Sequence, residues 1–381
     1  MLKICVEGWR GINHSYSIVN QNQLLELLKL PINLKIRDIP YSNKNWSLQK
    51  NPDGFLESER KILDKISHAS LDEEFDITYR ISYPFDFSKS HSKKLYVLAT
   101  VEKKIGSYIN GNPKDENNRE YLNIITPSNW CKNGLIACGF DDNQIKVIPH
   151  GVDIKTFHKI SDEEVDRYRS DLKIKKEDFI LTNVGAMTGN KGIHYLIIAF
   201  AILKQKFQNL KLILKDQSNL YNKKAEEYLD IIKTTKYGKY LNIDVINDIT
   251  FISKNLDLIS LNRLYNLTDC YVSPYRAEGF NLPPLEAAAV GTPIIVTKGG
   301  STDDYFNQCL GYQIESNEIK FNKNAYRLEP KIDSLINILE EKIIDKKDDL
   351  KNNRCNYVHK NFSWKKGVKK LKKEFENKLN K

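Results

Sequence analysis

Two short apolar runs, Cys270-Tyr-Val-Ser273 and Ile294-Ile-Val-Thr297, bracket the stretch that most constrains this chain. Between them lie Glu278-Gly-Phe-Asn-Leu-Pro-Pro-Leu-Glu286 and then Ala287-Ala-Ala-Val-Gly291-Thr-Pro293. Asn281 is a good helix N-cap, and Pro283 and Pro284 suit a first helical turn. Gly291 followed by Pro293 stops a helix. The pattern reads as strand, loop, short helix, strand. Strands joined through a helix run parallel. Glu278 falls in the loop, and Glu286 in the first turns of the helix. Both carboxylates can then line one crevice at the carboxyl end of a parallel strand, where open α/β sheets bind ligands.

The same alternation runs through the chain, so helices are expected to cover parallel sheets. In the first half, Lys3–Glu7, Leu34–Arg37, Ile77–Ser82, Leu95–Ala99, Asn123–Thr126 and Lys146–Ile148 read as strands. In the second, Phe179–Val184, Leu210–Leu214, Thr250–Ser253, Cys270–Ser273 and Pro293–Val296 repeat the pattern. Helices fit Ile193–Gln205, Ala225–Thr234, Leu258–Asn266 and Leu328–Asp345. The polar stretches 40–56 and 84–93 read as loops. At 381 residues the chain is comfortable for two domains. No apolar run is long enough to span a membrane, and the first residues show no signal-peptide pattern. The six cysteines form no C-x-x-C pair, so neither a zinc site nor a disulfide framework is expected, and a reducing cytosol is the simplest setting. The net charge of +10 is spread over dispersed lysines without an aromatic stacking platform, which argues against nucleic-acid binding. Near the end, Trp364, Val368, Leu371 and Phe375 recur at helical spacing beside a basic flank. That segment reads first as a packed terminal helix and second as a membrane-surface element.

Val184-Gly185-Ala-Met-Thr-Gly189-Asn-Lys191-Gly192 follows a strand and opens a helix. Glycines allow close backbone approach, the helix start attracts anions, and Lys191 adds a full charge. This suits a diphosphate; the plain alternative is a strand–helix turn with a solvated lysine. The glycine-to-lysine spacing is not that of a Walker loop. Lys215 closes the next strand and either reaches the same crevice or is a strand-end surface lysine. In the first half, Glu7-Gly8-Trp-Arg-Gly11-Ile-Asn13-His14 joins strand to helix. His14 is either a cleft residue or a helix-start residue. Ser128 is either an N-cap or an acceptor contact. No D-x-D triplet occurs in the chain.

The Glu278–Glu286 segment and its flanks resemble the E-x7-E signature of retaining glycosyltransferases of family 4, which have the GT-B fold. The Gly185–Gly192 loop, Thr126-Pro-Ser-Asn-Trp130 and Pro149-His-Gly-Val-Asp153 are similar to further segments of that family. The resemblance implies an α/β chain with two Rossmann-like domains whose parallel sheets face across a cleft. It implies an acceptor-side domain over 1–153, a nucleotide-sugar domain over 154–355, and a helical segment over 356–381 packing back on the first domain. Glu278 would contact the donor sugar and Glu286 the ribose hydroxyls. Lys191 would stabilise the leaving diphosphate. His14 is the third candidate for chemistry. Lys215, Gly185, Gly279, Phe280, Asn281, Leu282 and Gly11 would complete the donor site. Family members carry an arginine near position 186, where this chain has Ala186, and Lys215 is the expected substitute. The implied reaction moves a hexose-type sugar from a UDP- or GDP-linked donor to a glycan or lipid-linked acceptor, with no metal and no cofactor. The implied location is cytoplasmic, with peripheral contact at the inner membrane surface as the second reading. A GT-B nucleotide-sugar epimerase and a non-catalytic sugar-binding module are the alternatives.

Overall fold

The computed structural model describes residues 1–44, 46, 54–103, 108–110, 120–322, 325–345 and 348–379. Part of the polar stretch 40–56 therefore lies outside the described residues. The chain forms two compact units, Met1–Asp153 with Phe362–Lys381, and Ile154–Asn361.

The first unit is a six-stranded parallel sheet. Its strands are β1 (Leu2–Gly8), β2 (Ile32–Asp38), β3 (Phe75–Ile81), β4 (Ser92–Leu98), β5 (Leu122–Thr126) and β6 (Ile145–Val147), in the order β2-β1-β3-β4-β5-β6. Helix α1 (Ser15–Leu27) links β1 to β2, and α2 (Asn129–Ala137) follows β5. Ile77, Tyr79, Tyr96, Ile124 and Ile125 are fully buried. Central strands of a parallel sheet covered on both faces need such continuous apolar runs.

The second unit repeats the plan. Its strands are β7 (Phe179–Val184), β8 (Leu210–Lys215), β9 (Ile249–Ile252), β10 (Cys270–Ser273), β11 (Ile294–Thr297) and β12 (Gly311–Ile314). They run parallel in the order β9-β8-β7-β10-β11-β12. An antiparallel hairpin, β13 (Ser316–Asn322) and β14 (Ala325–Pro330), follows. The main helices are α3 (Ile193–Lys204), α4 (Leu258–Leu267), α5 (Leu282–Ala289), α6 (Ile332–Ile344) and α7 (Lys351–Asn361). The chain ends in α8 (Trp364–Leu379), which belongs to the first unit.

Three features depart from the sequence reading. Strand β12 and the hairpin were not expected. Leu328, expected to open a helix, pairs with Glu318 in the hairpin, and the helix begins only at Ile332, past Pro330. Proline disfavours helical backbone in the residue before it, which explains the late start. Helix α7 runs past residue 355 to Asn361, packs on α5, and stays with the second unit. Its Arg354 donates to the Gly291 carbonyl at 2.8 Å.

Helix α8 shows why the linker segment carries a glycine. Val152 N–H donates to the Phe362 carbonyl at 2.7 Å. A Cβ on Gly151 would lie 2.3 Å from the Trp364 nitrogen. The apolar stripe of α8, Trp364, Val368, Leu371 and Phe375, is buried. Phe375 packs against Tyr96 and Tyr79, with ring centroids 4.6 and 5.7 Å away. Burying each such side chain stabilises by about 1.5–3 kcal/mol.

Candidate active site

The order of the second sheet reverses between β7 and β10, the topological switch point of a doubly wound fold. Crevices at such points bind ligands outside the carboxyl ends of the strands. The loop after β7 is Gly185–Gly192 and the loop after β10 is Pro274–Asn281. The two sequence motifs therefore meet at one place.

Main-chain contacts lock the loops together. A Cβ on Gly192 would lie 2.0 Å from the Pro274 carbonyl oxygen, and Gly192 has φ +64°. No other residue fits there. Arg276 and Ala277 N–H groups both reach the Asn190 carbonyl, at 2.6 and 3.3 Å. The hairpin braces the other side. Leu328 N–H donates to the Arg276 carbonyl at 2.7 Å, and the Arg276 guanidinium meets Glu329 at 2.5 Å. Burial, with Arg327 nearby, pushes the Arg276 guanidinium down to about 10.

Within this frame Lys191 Nζ sits 2.8 Å from Glu278 Oε1, with the two side chains 14% and 12% exposed. Lys191 also donates to Asn281 Oδ1 at 3.5 Å, and Asn281 Nδ2 donates to Ser273 Oγ at 2.9 Å. Gly185 makes room: a Cβ there would lie 2.9 Å from Lys191 Cε.

Asn281 occupies the N-cap position of α5, with φ +66°, yet its side chain makes no cap bond. An N-cap side chain accepts from the second or third helical N–H. Here those residues are Pro283 and Pro284, which have none. The side chain is thereby released to Lys191 and Ser273, and Asn tolerates the left-handed backbone better than most residues. The Asn281 carbonyl accepts from Tyr305 OH at 3.0 Å. Phe280 turns its ring inward, 5.2 Å from the Tyr305 ring. Phe280 thus offers a ligand its main chain only. Gly279 and Leu282 flank it on the same turn.

Glu286 lies on α5, where Tyr265 OH donates to its Oε2 at 2.9 Å. Tyr265 is fully buried, and burial, reinforced by the Glu286 charge, raises its phenol well above the usual value. It therefore remains a donor. Lys215 closes β8 and is buried, with its ammonium on the Asp216 carbonyl; its own carbonyl accepts from Gly185 N–H at 3.0 Å.

In the first unit Gly11, at φ +70°, turns the loop after β1. His14 is the N-cap of α1, its Nδ1 accepting from Tyr16 N–H at 3.2 Å. The ring lies 5.1 Å from Trp9 and 5.2 Å from Trp46, and burial pushes the imidazole down to about 4. The structure thus puts a neutral His14 at the helix start. Ser128 likewise caps α2, accepting from Cys131 N–H at 3.2 Å.

Sequence reasoning missed Ser273, Tyr265, Tyr305 and Arg276. Arg276 stands two residues before Glu278 and was legible as part of that loop. The tyrosines reach the site from elements remote in sequence, and no local signal marks them.

Comparisons with known proteins bear on the fold. A glycosyltransferase structure from Rickettsia africae superposes with a TM-score of 0.69 at 15% identity, covering 99% of each chain. Anabaena HepE in complex with UDP and glucose gives 0.67 at 14% identity over 99% of this chain and 100% of that one. The chain has the GT-B glycosyltransferase fold. Residues 164–340 match the family described as glycosyl transferases group 1. A Staphylococcus aureus capsular polysaccharide biosynthesis glycosyltransferase, CapM, is 26% identical over 56% of this chain and 49% of its own length. A lipopolysaccharide 1,2-N-acetylglucosaminetransferase of Salmonella typhimurium is 22% identical over 67% of this chain and 62% of its own length. The chain thus spans about half to three fifths of these relatives. The GT-B match accounts for the two parallel sheets.

Proposed function

We propose that the protein is a retaining, metal-independent glycosyltransferase. It transfers a hexose-type sugar from a nucleoside diphosphate donor to a glycan or lipid-linked acceptor. The observation that carries this reading is the Lys191–Glu278 pair, 2.8 Å apart at the switch point, with Glu286 on the helix that follows. Lys191 takes the diphosphate at the start of α3, where main-chain N–H groups add to its charge. Glu278 accepts hydrogen bonds from the sugar hydroxyls. Glu286, oriented by Tyr265, accepts from the ribose. Lys215 is the second cation of this reading, standing in for the arginine that Ala186 lacks. His14 sets the start of α1. The acceptor oxygen attacks the anomeric carbon on the face the diphosphate leaves. The carbon–oxygen bond to the diphosphate breaks, and a diphosphate oxygen takes the acceptor proton. The names of the capsular and lipopolysaccharide relatives support a glycan or lipid-linked acceptor, and the HepE complex supports beginning with UDP-sugars.

A thermal-shift screen against nucleotides and nucleotide sugars, followed by donor turnover with EDTA, tests this. A bound ligand raises the melting temperature by mass action. Stabilisation by one nucleoside diphosphate, with turnover that survives EDTA, is expected. Enzyme that is inactive until Mg²⁺ or Mn²⁺ returns would contradict metal independence, and interconversion of the donor without acceptor would point to an epimerase.

A further inference from the structure

The chain's excess charge is not evenly spread in space. Helix α8 alone carries seven lysines against two glutamates, half of the chain's net +10. Its apolar stripe is used up inside the first unit, which turns the basic side outward. Lys365, Lys366, Lys369, Lys370 and Lys373 are all exposed on that side. Beside them, where α8 meets the end of α1, is a cavity of about 330 Å³. Its lining is Glu26, Lys29, Leu30, Lys365, Val368 and Lys369. Glu26 pairs with Lys29 at 2.5 Å, so the rim stays basic over a floor of aliphatic carbon.

We propose that this face docks the protein on an anionic lipid bilayer. The lysine row meets headgroup phosphates, and Leu30 and the cavity floor take the apolar region just beneath them. The chemistry favours lipid over nucleic acid. The aromatic residues of α8 point inward, so the basic face has no ring on which a base could stack. A half-buried leucine set among lysines suits the boundary between headgroups and acyl chains. Among the described residues no helix is long and apolar enough to cross a membrane, so the contact is peripheral. The docking does not depend on which reaction the second unit performs.

The test is sedimentation of the full chain with vesicles of neutral phosphatidylcholine, with and without about one third phosphatidylglycerol. Binding to the anionic vesicles only, weakening with salt, is expected, since exposed charges are screened. A lysine near such a surface contributes about fivefold in partitioning. Changing Lys365, Lys366, Lys369, Lys370 and Lys373 together to Gln should then lower binding by at least a hundredfold. The same five changed to Arg should bind like the wild type, which controls for folding. Leu30→Asn should weaken binding severalfold at constant charge. Equal binding to neutral vesicles, unchanged binding by the Gln variant, or displacement by duplex DNA at equal charge as readily as by soluble anionic lipid would each overturn the proposal.

Discussion

Changing Glu278 to Gln should tighten the binding of free nucleoside diphosphate while suppressing turnover. A carboxylate that touched only the sugar would leave free diphosphate indifferent to the change. The structure argues otherwise, because Glu278 holds the Lys191 ammonium at 2.8 Å in a largely buried pair. Two unit charges at that distance attract by about 6 kcal/mol at an effective dielectric constant of about 20. Desolvation cancels most of this, leaving the about 1.5–3 kcal/mol of a charge-assisted hydrogen bond. An arriving diphosphate competes with that carboxylate for Lys191. Gln keeps the shape and removes the competing charge, so roughly 1.4 kcal/mol, or tenfold in Kd, should be gained. Calorimetry with the diphosphate that the thermal screen selects measures the gain. The donor itself should gain nothing, since its sugar loses an acceptor, and kcat should fall by about two decades. Unchanged or weaker diphosphate binding in Glu278→Gln would refute the competition, and with it the assignment of Lys191 to the diphosphate.

Glu286→Ala should weaken nucleotide binding by about 1.5–3 kcal/mol, and Tyr265→Phe by a smaller amount, while inorganic pyrophosphate titrations stay unchanged because only the ribose contact is lost. Gly192→Ala should lower stability by on the order of 3 kcal/mol in chemical denaturation, since the new Cβ meets the Pro274 carbonyl and the backbone is left-handed. Burial holds His14 and His194 at about 4 and His150 at about 3, all below the ordinary value of 6.5. The unfolded chain then binds more protons than the folded one as pH falls from about 6.5 toward 4. Stability should fall over that window by up to about 1.4 kcal/mol per pH unit for each histidine, and His14→Asn, which retains a cap, should flatten the profile. A melting temperature that is flat from pH 7 to pH 4.5 would contradict the buried, neutral state.

Much of this was legible in the residues. The parallel strands could be read because buried strands are runs of branched and aromatic side chains, and β7, β10 and β11 follow Phe179–Val184, Cys270–Ser273 and Ile294–Thr297 closely. Lys191 and Glu278 were legible as candidates because glycines and prolines fix where the chain turns. Their mutual pairing was not, since it depends on a sheet order that places β10 beside β7. Asn281 takes the N-cap position expected of it, but the capping bond that propensity alone would suggest is absent. Two prolines after an N-cap remove the N–H groups it would bind, and that inference needed only the sequence. Hairpin β13–β14 was missed because its strands are polar on one face and its second strand merges into a helical pattern at Leu328. Tyr265 and Tyr305 were invisible because their hydroxyls act through tertiary contacts.

Time-resolved proton NMR on an α-linked nucleotide sugar separates retention from inversion. The protein should cleave or transfer one such donor, the α configuration should appear first in the product, and Lys191→Ala should slow the step at least about tenfold, the value of one charge-assisted contact. A product that appears first as the β anomer, or a Lys191→Ala protein as fast as the wild type, would contradict the proposed reaction.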